Sequence, residues 1–216
     1  ARDRAGREHL GGHLRPGGSM SHLTWEDGRA GEGRRVTVPV TAGPEEAARD
    51  LAPHLRAVAG EWATASFGEA REGRGMPVVT IDGYSGSGKS TLAAALESLL
   101  DGWQVLHLDD WYPGWDGLAE GARVARRIAD DVRGGRASFY EAWDWEADAP
   151  GDTVRVPLAP TIIEGCGAIE AEADLAIWIA DPGEDERRAR ALARDGQTYA
   201  PYWQRWAHQD LGRPVK

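Results

Sequence analysis

Lysine is almost missing from this chain. Of its 25 Lys and Arg residues only two are lysine, Lys89 and Lys216. Cysteine is scarcer still: Cys166 stands alone, so no internal disulfide can form. No apolar run approaches the roughly 18 residues that cross a bilayer, and the N-terminus carries no apolar leader. These absences set the expectation of a cytoplasmic, reducing location and no membrane partner. An excess of positive charge is also lacking. A net charge of −10 argues against non-specific binding to nucleic acid or anionic lipid, since both need a basic face. What remains is ordinary for a folded globular chain: 41% hydrophobic and 28% charged residues over a length of 216, enough for one well-buried domain. Tryptophan is the exception. There are ten, and Trp103, Trp111, Trp115, Trp143 and Trp145 crowd into one stretch.

Residues 1–35 are rich in Gly, Arg and Glu without apolar period, and are read as disordered. This puts an N-terminal tail over 1–43 and one α/β domain over 44–216. Met20 is a candidate natural start, which would leave 1–19 outside the natural protein. Pro44, Glu45 and Glu46 suit a helix start, and Leu51, Leu55, Val58 and Trp62 repeat at helical spacing, predicting a helix over 44–66. PVVTID (77–82), WQVLHL (103–108), TIIEG (161–165) and LAIWIA (175–180) read as buried strands. Residues 89–100, 117–133 and 184–194, and the stretch after Pro201, read as helices. The segment 137–160 has weak alternation, with DTVRVPL (152–158) a candidate edge strand. Strands alternating with helices predict an α/β fold with a mostly parallel sheet.

The rare lysine sits in DGYSGSGKST (82–91). Gly83, Ser85, Gly86, Ser87, Gly88, Lys89 and Ser90 fall in the pattern G-x-x-x-x-G-K-[ST], the phosphate-binding P-loop, with Thr91 next. Glycines let successive N–H groups point into one concavity, and the following helix adds its positive end. A compact ammonium on a flexible stem serves β- and γ-phosphates as a point charge, where a planar guanidinium fits less well. Ser90 is placed to ligate Mg²⁺. Acids are expected at the C-terminal ends of neighbouring strands, and two strands end that way, at Asp109–Asp110 and at Glu164.

HLDDWYPG (107–114), IIEGCGAI (162–169), WDW (143–145) and RRARALARD (187–195), together with the P-loop, resemble the uridine kinase family of P-loop kinases. The resemblance runs over roughly 77–210. It implies a P-loop NTPase three-layer sandwich with a helical lid, and an ATP- and Mg²⁺-dependent kinase acting on a hydroxyl of a nucleoside or similar small molecule. It implies Asp109 as general base and Mg²⁺ contact, with Asp110 as its rival, and Glu164 as a second acid on the Mg²⁺ side. Arg190 and Arg194 would stabilise the transferring phosphoryl group. Tyr112, Trp143 and Asp144 would contact the acceptor. The chain departs from the family in a short loop after the acidic strand and in a tryptophan at 143 where tyrosine is usual, and both positions shape the acceptor pocket.

Two other readings stand beside this one. A nucleotide-binding regulatory module would bind ATP without any small acceptor. A nucleoside monophosphate kinase would need extra arginines around the acceptor, and those at 123–136 sit on or after a helix. Homo-oligomerisation is left open.

Overall fold

The strand leading into the glycine loop is apolar on both faces. Val79 and Ile81 belong to one buried cluster and Val78 to the other, as in a central strand covered from both sides. The computed structural model describes residues 23–26, 33–65 and 75–213. Its strands are β1 (Thr24–Glu26), β2 (Arg34–Val38), β3 (Val78–Asp82), β4 (Gln104–His107), β5 (Ser138–Asp144), β6 (Ala149–Val156), β7 (Thr161–Glu164) and β8 (Leu175–Ile179). Its helices are α1 (Pro44–Ala65), α2 (Lys89–Glu97), α3 (Leu118–Arg133), α4 (Glu184–Tyr199) and α5 (Trp203–Leu211). The main sheet has the order β1-β2-β8-β3-β7-β4. All its pairings are parallel except β1 with β2.

Helices α1 and α2 bury Leu51, Leu55, Leu92 and Leu96 on one face of the sheet. Helix α3, through Ile128 and Val132, and helices α4 and α5, through Tyr199, Trp203 and Trp206, cover the other. This is the α/β fold with a mostly parallel sheet expected from the alternation of elements, in the three-layer form that the resemblance implied. After β3 the chain crosses to β4 on one side, and β8 lies on the other. The end of β3 is therefore a switch point of the sheet, where open α/β folds form a ligand crevice.

One reading needs correction. Residues 1–43 were expected to form a tail, but residues 24–26 and 34–38 are strands, and β2 pairs with β8 from Arg34↔Leu175 to Val38↔Ile179. Val36 and Val38 are buried in the core. The signal is two inward valines in a five-residue strand, too short to stand out among arginines and glycines. The rest of the tail, 1–22 and 27–32, lies outside the described residues. The candidate edge strand at 152–158 falls largely in β6, which pairs with β5 as an antiparallel hairpin in a two-stranded sheet of its own, where each strand is an edge.

Candidate active site

The loop 83–88 leaves the end of β3 and feeds α2. Gly86 has φ 80°, and a Cβ there would fall 2.2 Å from the carbonyl oxygen of Arg187. Gly88 has φ 108°, and a Cβ would meet nothing within 4 Å. Glycine thus lets α4 pack against the loop at one point and keeps the backbone open at the other. Lys89 is buried and folds back over the loop, donating to the carbonyls of Gly83 at 2.9 Å and Tyr84 at 3.2 Å. Burial works against its charge, but Cys166 and the carboxylates of Asp210, Glu164 and Asp82 outweigh it, so its pKa is raised.

Two cavities flank the loop. The larger, about 750 Å³, is lined by Ser85, Gly86, Lys89 and Ser90 of the loop side. Across from them stand Asp109, Asp110, Glu164 and Arg194, and an aromatic wall of Trp115, Trp145, Tyr202 and Trp206. The smaller, about 430 Å³, lies on the other flank against Ser87, Gly88 and Thr91. Its walls are the turn from Val38 to Pro44, the segment after β8, and Arg190. Arg190 and Arg194 are one helical turn apart on α4, and each serves a different cavity.

Glu164, at the end of β7, is buried and accepts bonds from His107 Nδ1 at 2.6 Å and from the Ser90 hydroxyl. Burial alone would raise its pKa, but His107, Lys89 and Ser90 hold it below its ordinary value. The bond to Glu164 raises the pKa of His107 in turn. Asp109 and Asp110 sit in the short turn Leu108–Asp110 that ends β4. Partial burial pushes the Asp110 carboxyl up. The backbone carbonyl of Asp109 accepts the indole N–H of Trp145 at 2.8 Å, which ties the β5–β6 hairpin to the acidic turn.

Most of the residues singled out in the sequence come together at the loop, and several do not. Tyr112 lines the larger cavity, but its hydroxyl donates to the Cys166 carbonyl at 2.7 Å, so it is a wall with an occupied polar end. Trp143 and Asp144 lie outside both linings. Trp143 packs near Gly114, and the Asp144 carboxylate accepts the Glu146 and Ala147 N–H groups to close the hairpin turn. The next residues take the place expected for them: Trp145, Glu146 and Asp148 line the larger cavity. Arg190 pairs with Glu186 at 2.9 Å and faces the smaller cavity.

No known family model matches the chain, and no curated protein matches it by sequence. Among solved structures it is similar to a protein named as a possible uridine kinase from Bacillus stearothermophilus, at 20% identity and a TM-score of 0.40, over 70% of this chain and 92% of that one. It is also similar to a protein named as a possible fructose transport system kinase from a Silicibacter species, at 20% identity and a TM-score of 0.43, over 73% of this chain and 86% of that one.

Sequence reasoning missed the grip on the loop from behind. Asp82, Asp210 and Arg213 form a buried charge network, with Arg213 bonded to Asp82 at 2.7 and 3.1 Å and to Asp210 at 2.7 Å. Arg187, on α4 with Arg190 and Arg194, is only 2% exposed and donates to the Ser85 carbonyl. No local pattern marks these residues, because their partners lie far away in sequence.

Proposed function

We propose that this chain is an ATP-dependent kinase that transfers the γ-phosphoryl group to a hydroxyl of a small molecule, a nucleoside or similar metabolite. The observation carrying the reading is that the P-loop separates two cavities, one against Thr91 and one against Asp109. A nucleotide laid across the loop would seat its base in the smaller cavity and present its γ-phosphate to the larger. The N–H groups from Gly86 to Ser90 and the Lys89 ammonium would hold the phosphates.

Among the described residues, no three His, Cys, Asp or Glu side chains are arranged to hold a metal by themselves. Two carboxylates and a hydroxyl in the larger cavity, Asp109, Glu164 and Ser90, suit Mg²⁺, which takes one or two carboxylates and completes its shell with phosphate oxygens and water. Ser90, Asp109 and Glu164 would hold it, and it would neutralise charge on the phosphates. Asp109 would accept the proton of the acceptor hydroxyl. The acceptor oxygen then forms its bond to phosphorus as the β–γ bridging bond breaks, and ADP leaves with that electron pair. Arg194 would stabilise the transferring group, and Arg190 would serve the nucleotide side. The acids Asp110, Glu146 and Asp148 around the acceptor cavity disfavour a phosphorylated acceptor.

The test is ATP consumption with Mg²⁺ against nucleosides and then other hydroxylated metabolites, with Lys89→Ala as the blank. Acceptor-dependent turnover absent in the blank is the expected result. ATP binding with no turnover on any acceptor would favour a regulatory module.

A further inference from the structure

Every polar group of Ser85 is taken by a side chain from the two helices that follow β8. Its N–H donates to Asp210 Oδ2 at 2.7 Å, its hydroxyl shares a bond with the Tyr199 hydroxyl at 2.9 Å, and its carbonyl accepts from Arg187 Nη1 at 3.3 Å. Each of these side chains is fixed in turn. Arg187 is braced by Asp181 at 2.8 Å and lies between the rings of Tyr84 and Trp203, at 5.1 and 5.8 Å. Asp210 is held by Arg213, and Arg213 by Asp82, which also accepts the N–H groups of Gly83, Gly167 and Ile169. Asp82 and Asp210 are fully buried.

We propose that Asp210, Tyr199 and Arg187 are positioning residues for nucleotide binding, with Arg213 as the brace behind Asp210. They set the first half of the phosphate-binding loop through Ser85. This rests on the reading of the loop as a nucleotide site. A loop that binds phosphate through backbone N–H groups gains affinity only if those groups are aimed before the ligand arrives. Ser85 precedes Gly86, which is held in a left-handed conformation against α4. Fixing Ser85 by its N–H, carbonyl and hydroxyl therefore fixes the direction in which the loop continues. Asp210 has a second effect. It is among the carboxylates that keep the buried Lys89 charged, so one side chain supports both the loop's shape and its cation.

Three variants separate this role from bulk stability. Tyr199→Phe removes one hydroxyl and keeps the ring. Asp210→Asn keeps an oxygen for the Ser85 N–H and loses the charge, while Asp210→Ala loses both. The affinity of the folded protein is read by titration with ATP and with inorganic tripolyphosphate, well below each variant's melting temperature.

Tyr199→Phe should weaken both ligands about fivefold, as for one lost hydrogen bond. Asp210→Ala should weaken them by roughly 30-fold or more, as for a lost charge-assisted bond, with Asp210→Asn between. Equal losses for the two ligands place the effect on the phosphate loop. If the parent binds ATP and the folded Tyr199→Phe and Asp210→Asn proteins bind it within twofold of the parent, the positioning role is overturned and the kinase reading survives. If the parent binds neither ligand, both fall.

Discussion

His107 Nδ1 and Glu164 Oε1 lie 2.6 Å apart across the paired ends of β4 and β7, with Glu164 buried and His107 partly exposed. Their effect on stability has a sign that pH can reveal. The pKa of His107 is raised in the folded protein, so its contribution is full below its unfolded value of about 6.5 and is lost as pH rises through the folded value. Glu164 is lowered, so its contribution is present above the usual carboxylate range and is lost as pH falls through the folded value. In metal-free buffer, the melting temperatures of the parent and His107→Gln should differ most near about pH 6 and draw together as pH rises through the raised value of His107. A difference that stays flat across that range would refute the assignment.

Asp82 is a hub at the root of the loop, fully buried and bonded to three N–H groups and Arg213. Asp82→Ala would leave Arg213 with one carboxylate and three N–H groups without their acceptor. Breaking a buried pair of this kind costs about 3–5 kcal/mol. Urea denaturation should show a loss of that order. A loss below about 1 kcal/mol would mean that water or backbone shifts replace the carboxylate.

The two acids after β4 can be told apart by separating binding from chemistry. Asp109→Asn should lower acceptor phosphorylation by about 10²–10⁴-fold and leave ATP affinity within a few-fold. Asp110→Asn should cost less than Asp109→Asn. The reverse order would hand the base role to Asp110, whose carboxyl burial pushes up.

Cys166 lines the larger cavity, and its thiol sits 3.4 Å from Lys89 Nζ. A neighbouring ammonium usually activates a thiol. Here burial and the charge of Asp210 win, and the pKa is pushed up to about 12. At neutral pH roughly one thiol in 10⁵ is ionised on that basis. A disulfide reagent at about pH 7.5 should therefore leave the folded protein unlabelled and label it fully in denaturant. Rapid labelling of the folded chain would contradict this.

The loop was legible in the sequence because its chemistry is local. Gly83 to Ser90 are contiguous, and the flanking strand and helix follow from apolar period alone. Asp109 and Glu164 were legible at one remove, as acids at strand ends. Trp143 and Asp144 were named by the resemblance, and they end β5 outside both cavity linings. Trp145 lies just past the strand end, in the turn, where its indole N–H reaches the Asp109 carbonyl and its ring lines the larger cavity. Strand β2 was hidden by its brevity and its arginines. The partners of Ser85 were beyond any local reading, since they are 102, 114 and 125 positions away.

Those separations have a consequence during synthesis. A ribosome adds about 5–20 residues each second. The segment from Ser85 to Asp210, 125 positions long, therefore takes roughly 6–25 s to make. Arg187 and Tyr199 are made first, and until Asp210 follows them the hold on the glycine loop is incomplete. On the proposed reading of the loop as a nucleotide site, capture of nucleotide would be among the last events of folding, once α5 has emerged and docked.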